Sequence, residues 1–134
     1  MSLKSLVVST KEAVVPFEGL AGFEVTLAAV SREVSKKLRE ESETTRMDPK
    51  MRAPVKDLDE DKFITNFAKA AIKGWKGLTY RHLDSLMLVD LSSIKDLDEE
   101  VEYSQENAEI LLKSSPIFDN WVNDKVFSLD SFRN

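Results

Sequence analysis

The sequence contains no cysteine and a single histidine among its 134 residues. The absence of cysteine excludes disulfide bonds and thiolate metal sites, and it fits a cytosolic protein. No apolar run approaches the roughly 18 residues that a membrane-spanning helix needs. The N-terminus has a basic residue and a few apolar ones, but it lacks the apolar core of a signal peptide. We therefore expect a soluble domain with no membrane partner.

Basic residues are fewer than acidic ones, 19 against 24, and the formal net charge is -5. This balance favours solubility and argues against general nucleic-acid binding. The one basic concentration lies between residues 46 and 56 and consists of Arg46, Lys50, Arg52 and Lys56. It is short and poor in aromatic residues, so we expect no nucleic-acid partner.

Motifs for catalysis, phosphate binding or metal binding are also missing. The lone His82 has no evident catalytic partner, and a surface or loop position is the expected one. The acidic run from Asp57 resembles the start of a calcium loop. Its sixth and twelfth positions, however, are Lys62 and Ala68 instead of glycine and glutamate. The run at residues 96–100 fails the same comparison. We expect no enzyme activity, no cofactor and no metal site.

Residues 5–30 are predicted to form extended structure. Two short β-branched runs, Leu6–Val8 and Ala13–Val15, are separated by the turn-prone Ser9 and Thr10. Residues 23–27 then alternate between apolar and polar side chains, which is typical of a half-buried strand. Together these segments predict a small antiparallel sheet near the N-terminus.

Helical patterns dominate after residue 30. Ser31 is a predicted N-cap for a helix that runs to about Thr44. The steps Asp48-Pro49 and Ala53-Pro54 interrupt any helix and predict a loop over residues 45–56. The pair Asp57 and Glu60 is a capping signal for a helix that Gly74 is expected to end in a left-handed conformation.

Two more helices are predicted in the last third of the chain. Ser104 is expected to cap a helix through Leu112, after an extended entry around residues 101–103. Ser115, followed by Pro116, is expected to cap a last helix. That helix is predicted to carry bulky core residues as far as Phe132, among them Phe127 and Leu129. Residues 83–97 are apolar but irregular, and the pattern does not decide between strand and short helix.

These patterns predict a single α+β domain over residues 1–134, with a small N-terminal antiparallel sheet packed against about four helices. The large apolar residues at helical spacing are expected to fill its core. The predicted core residues are Phe67, Ile72, Phe118, Trp121 and Val122.

A series of short motifs follows one another in a distinctive order. They are Gly22–Leu27, a charged helix, a loop, an acidic lead into Phe63, Ala71–Leu78, Tyr103–Ala108, Pro116, Trp121–Val122 and Phe132. From Phe23 to Arg133 this order resembles the tail assembly chaperones of long-tailed bacteriophages. One departure is the segment 79–100, which is longer and more apolar than the short polar stretch at the corresponding place in that family. This departure suggests a specialised contact.

The resemblance implies a function without an enzymatic step. Such a protein binds the tape measure protein, keeps it soluble and helps to recruit tail tube subunits. It works in the cytoplasm of the host bacterium and is absent from the mature virion; self-association stays open. The alternative from a different class is a small structural component of the virion, in the tail or connector.

Two surfaces are candidates for partner binding. One is the helix after Ser31, through an apolar stripe of Val34 and Leu38; its alternative is a solvated helix edge. The other is the apolar insert around Leu86 and Leu88, because consecutive apolar residues outside a regular pattern often mark a contact. Trp75 follows a predicted helix end and is open to either an interface or a core position.

Overall fold

The computed structural model describes residues 2–6 and 11–133. The predicted strand residues Val7 and Val8 and the turn at Ser9 and Thr10 lie outside the described residues. The elements follow in this order: α1 (Leu3–Leu6), β1 (Glu12–Pro16), β2 (Glu24–Ala28), α2 (Arg32–Glu41), β3 (Glu43–Asp48), β4 (Ala53–Leu58), α3 (Glu60–Ala71), β5 (Ile72–Lys76), α4 (Tyr80–Leu86), α5 (Gln105–Ser114), α6 (Pro116–Val126) and a 3₁₀ turn (Leu129–Phe132). The α+β class is confirmed, with six α-helices in the described part instead of about four.

The main sheet has three antiparallel strands in the order β1-β2-β5. Strands β1 and β2 form a hairpin in which Val14 pairs with Thr26 and Pro16 with Glu24. The central β2 is buried at Val25 and Leu27, as its alternation predicted. The extended reading was wrong at its start, because Ser5 and Leu6 belong to the short helix α1.

The third strand corrects the expected end of the helix at Gly74. Helix α3 ends at Ala71, and the chain continues directly into β5, where Gly74 pairs with Thr26. The left-handed conformation falls instead at Gly77, with φ of 77°. A Cβ atom on Gly77 would collide with the carbonyl oxygen of Gly22, so this position needs glycine for space as well as for φ.

The predicted loop over residues 45–56 is in fact a second hairpin. Strands β3 and β4 pair along their full length, from Glu43 with Leu58 to Asp48 with Ala53. Pro54 does not prevent this, because each strand of a two-stranded sheet has a free edge where a missing N–H is tolerated. Helix α2 is correspondingly shorter than predicted, since it ends at Glu41 and Thr44 already belongs to β3.

Three serine caps were predicted correctly. Ser31, Ser104 and Ser115 each accept a hydrogen bond from the backbone N–H three residues later, at 3.0–3.2 Å. The cap of α3 is Asp59 and not Asp57, since Asp59 Oδ1 accepts from the N–H of Lys62 at 3.1 Å. A side-chain acceptor at these ends satisfies N–H groups that have no partner within the helix.

The undecided segment after residue 79 begins as a helix and continues as a loop. Thr79 caps α4, and His82 Nδ1 accepts in return from the N–H of Thr79 at 3.2 Å. His82 therefore lies in a helix, partly buried, and not in a loop. The loop returns to its start, where the N–H of Val101 bonds the carbonyl oxygen of Leu78 and residues 101–104 enter α5 in an extended form.

The core lies between the sheet and helices α3, α5 and α6. Phe67, Ile72, Phe118 and Val122 are buried as predicted, whereas Trp121 is only partly buried. The last helix ends at Val126, and the apolar residues beyond it differ in burial. Phe132 is buried, but the side chains of Phe127 and Leu129 are exposed by 54% and 75%.

Candidate protein-binding surfaces

A groove of about 360 Å³ runs between α2 and α3. Val34 and Ala70 are partly buried along it, and Leu38 is buried at its base. The groove places an apolar strip between charged side chains, which is the arrangement that accepts the apolar face of an amphipathic helix. Its lining residues are Val34, Lys37, Leu38, Glu41, Asn66, Lys69, Ala70 and Lys73.

The far end of α2 is fixed against α3 by a buried hydroxyl. Ser42 Oγ donates to the carbonyl oxygen of Leu38 at 2.7 Å and accepts from Asn66 Nδ2 at 3.1 Å. Because Ser42 is fully buried, these bonds satisfy a polar group that would otherwise be costly to bury. The two walls of the groove are therefore held at a set distance.

A second, smaller concavity of about 200 Å³ lies beside Trp75. We call it the Trp75 pocket. It brings together side chains from β5, α4, α5 and the segments that join them: Trp75, Leu78, Tyr80, Leu83, Met87, Val101, Asn107, Ile110 and Leu111. Aromatic and aliphatic walls around one polar amide suit a single apolar side chain of a partner.

The Trp75 pocket has a rigid wall. Trp75 Nε1 donates to the carbonyl oxygen of Val101 at 2.9 Å, and the indole stands edge-on to Tyr103 with ring centroids 5.1 Å apart. Tyr103 in turn donates to the carbonyl oxygen of Ile72 at 3.0 Å. Burial raises the pKa of the Tyr103 phenol, so the hydroxyl stays protonated as a donor at neutral pH.

In the loop after α4, beside the pocket, one leucine is completely exposed. Leu88 follows the end of α4, and its side chain has no protection from solvent. The start of the helix is tied to the returning loop by Arg81, whose Nε lies 3.0 Å from Asp98 Oδ1. The hydrogen bond and charge of Arg81 lower the pKa of Asp98. Leu88 is thus fully exposed, whereas Val89 and Leu91 in the same loop are partly buried.

The structure separates the five predicted contact residues into two groups. Leu38 and Leu86 are buried in the core, with 7% and 4% of their surfaces exposed, so they were wrongly placed on exposed faces. Val34 and Trp75 are partly buried and line the two concavities, and Leu88 is exposed. For these three residues, partner binding stays a prediction.

Other exposed apolar residues were missed from the sequence. Met47 and Met51 are about 70% exposed near the turn of the β3-β4 hairpin. Phe127 and Leu129 were assigned to the core but lie at the surface beside α2. The signal for the last pair was present, because Ser128 and Asp130 alternate with them and break the helical spacing.

Within residues 2–6 and 11–133 there is no group of three or more side chains that could hold a metal ion. No helix in that part of the chain has both the length and the apolar character needed to cross a bilayer.

A family model described as YdaY prophage protein matches residues 19–134. No curated protein and no solved structure matches the chain. The match begins in the connection between β1 and β2, so the groove and the Trp75 pocket both lie within it.

Proposed function

The chain belongs to the YdaY prophage protein family, and is thus phage-associated; we propose that it is a tail assembly chaperone. In this proposal it binds the tape measure protein, keeps it soluble and helps to recruit tail tube subunits. It does so in the cytoplasm of the host bacterium, without an enzymatic step or a cofactor. It then leaves before the virion is complete.

The observation that carries the proposal is the Trp75 pocket with the exposed Leu88 beside it. A long helical client exposes apolar side chains, and a chaperone needs apolar sites that cover them reversibly. The pocket has room for one such side chain, and Leu88 adds apolar area outside it. The groove between α2 and α3 supports the proposal as a second place for a helix.

Co-expression with the tape measure protein of the same phage tests this function. We expect the client to be soluble with the wild-type chain and to aggregate with Leu88→Glu or Ile110→Glu. Ile110 lines the pocket and is 44% exposed, so a glutamate there places an unpaired charge at the contact without entering the core. Leu38→Glu is unsuitable, because that residue is buried.

The matched control is Ile117→Glu. Ile117 is 56% exposed and lies outside both concavities, so its variant carries the same new charge at a position where no client contact is expected. It should keep the client soluble, and far-ultraviolet circular dichroism should show all variants folded. Equal client solubility with and without the wild-type chain would disprove the chaperone function and favour a structural component of the virion.

A further inference from the structure

A third surface combines cations with exposed apolar side chains. It lies where the N-terminal part of α2 meets the end of α6, and its cavity has a volume of about 670 Å³. We call it the basic-apolar surface. Its principal residues are Arg32, Lys36, Arg39, Phe127 and Leu129.

The three cations form one stripe along α2. Arg32, Lys36 and Arg39 are four and three residues apart, so they share a helix face. With a rise of about 1.5 Å per residue, they are spaced by about 6 Å and about 4.5 Å along the axis. All three are exposed, and none forms an ion pair within the described residues.

The helix macrodipole favours Arg39, which lies in the last turn of α2, but it does not explain the cation at the start of the helix. Arg32 stands at the first position of the helix, where the macrodipole favours acidic side chains and disfavours cations. Arg32 and Lys36 also repel one another as like charges on successive turns, and the acidic neighbours of Lys36 at this spacing, Glu33 and Glu40, form no ion pair with it within the described residues. A local preference that is broken without a compensating contact is expected at functional positions.

The apolar half of the surface is held in place. The N–H of Val30 donates to the carbonyl oxygen of Val126 at 3.1 Å, which joins the start of α2 to the end of α6. Phe127 follows that junction directly. Leu129 begins a 3₁₀ turn whose other end, Phe132, is buried. The backbone that carries these two exposed apolar side chains is thus held beside the cations.

We propose that the basic-apolar surface binds an acidic amphipathic helix of a partner protein. A helix with carboxylates at i, i+4 and i+7 repeats the spacing of the three cations, and its neighbouring apolar face would cover Phe127 and Leu129. The surface has only three cations on a chain of net charge -5, which favours a protein helix over a nucleic acid or a lipid surface. This inference goes beyond the chaperone function, since it concerns a separate surface and partner chemistry.

A synthetic peptide provides the probe. We would use a fluorescein-labelled helical peptide with glutamates at i, i+4 and i+7 and leucines on the adjacent face, together with a peptide in which lysines replace the glutamates. Fluorescence anisotropy with the full chain should show binding of the glutamate peptide that weakens as salt is added. The lysine peptide should not bind.

Charge reversal tests the stripe directly. The triple variant Arg32→Glu, Lys36→Glu, Arg39→Glu should raise the Kd for the glutamate peptide at least about tenfold and should gain binding of the lysine peptide. The control triple variant Lys50→Glu, Lys62→Glu, Lys95→Glu changes the net charge equally at exposed positions elsewhere. It should keep the wild-type preference.

The apolar half has its own test. Phe127→Ser with Leu129→Ser should weaken the glutamate peptide, and Ile117→Ser should not. Equal Kd values for the two triple variants would overturn the proposal. So would binding to phosphatidylserine vesicles or to single-stranded DNA that exceeds peptide binding and is lost in the Arg32 triple variant. None of these results depends on the tape measure protein, so the chaperone function would still be judged by its own experiment.

Discussion

At the residue scale, neighbouring positions of α6 differ sharply in what they contribute. Phe118 is fully buried and its ring lies 6.4 Å from those of both Phe17 and Phe23. Phe118→Ala should therefore lower the free energy of unfolding by about 3–5 kcal/mol, as emptying a large aromatic site usually does. Ile117→Ala, next in the chain and 56% exposed, should change it by less than about 0.5 kcal/mol. Urea denaturation compares the two.

Trp121→Ala should fall between these variants. Its ring packs 4.8 Å from that of Phe17, but the residue is only partly buried and its Nε1 reaches Glu18 at the surface. Part of the indole is already hydrated in the folded state, so removing it forfeits less burial. A loss equal to that of Phe118→Ala would place Trp121 in the core after all.

Glu18 makes a pH-dependent contribution beside this tryptophan. Its carboxylate accepts hydrogen bonds from Lys125 Nζ at 3.2 Å and Trp121 Nε1 at 3.1 Å, and these bonds lower its pKa from the ordinary 4.5. A lowered folded-state pKa stabilises the fold above pH 4.5 and loses that effect as pH falls through the lowered value. The melting temperature of Glu18→Gln should thus lie below that of wild type at pH 7, and the gap should close in acid.

The control for Glu18 is Glu12→Gln. Glu12 is an exposed strand residue that forms no ion pair within the described part of the chain. Its substitution removes the same charge without removing the two hydrogen bonds. A gap for Glu18→Gln that widens as the pH is lowered would contradict the assigned direction of the pKa shift.

At the element scale, local signals predicted local structure well. The caps Ser31, Ser104 and Ser115 and the apolar face of α3 lie within single helices, so the sequence alone reveals them. Strand β5 depends on pairing with β2, which lies almost 50 residues earlier in the chain, and no local sequence pattern predicts that pairing. The β3-β4 hairpin was hidden by prolines that an edge strand tolerates.

In the candidate surfaces, too, features within one element were predicted from the sequence, whereas contacts between elements were not. The helical stripe of Val34 and Leu38 was recognised, but only the fold decides that Leu38 is buried and Val34 is left in the groove. Trp75 could be singled out as an aromatic residue after a helix, whereas its pocket requires side chains from α4 and α5. Its hydrogen bond to Val101 spans 26 residues.

Substitutions at two glycines test whether the left-handed residue after α3 is Gly77 or Gly74. Gly77→Ala should cost at least about 2 kcal/mol, since alanine is strained at positive φ and its Cβ would meet the carbonyl oxygen of Gly22. Gly74→Ala meets no atom within 4 Å and has no positive φ, so it should be nearly neutral. Chemical denaturation of both variants decides the matter. A larger loss for Gly74→Ala would restore the helix end that the sequence suggested.

At the scale of the whole molecule, the three surfaces are all modest in size. The Trp75 pocket of about 200 Å³ holds a side chain and not a segment. Small contacts of this kind are typical of transient complexes. In the chaperone function proposed above, the groove and the Trp75 pocket of one copy bind two segments of the same client, and binding of the first segment raises the effective concentration of the second. In that proposal the weak contacts stay reversible, so that a growing tail tube can displace them.

This reversibility leads to a prediction about the finished phage. Particles obtained by inducing the prophage and purified to constant composition should lack this chain, while the lysate before assembly is complete should contain it. Quantitative mass spectrometry measures both, and the tail tube protein serves as the internal control for recovery. Because a structural component is bound permanently, it would appear in the particles in a fixed ratio to the tube protein. A constant ratio of that kind would favour a tail or connector component over the chaperone.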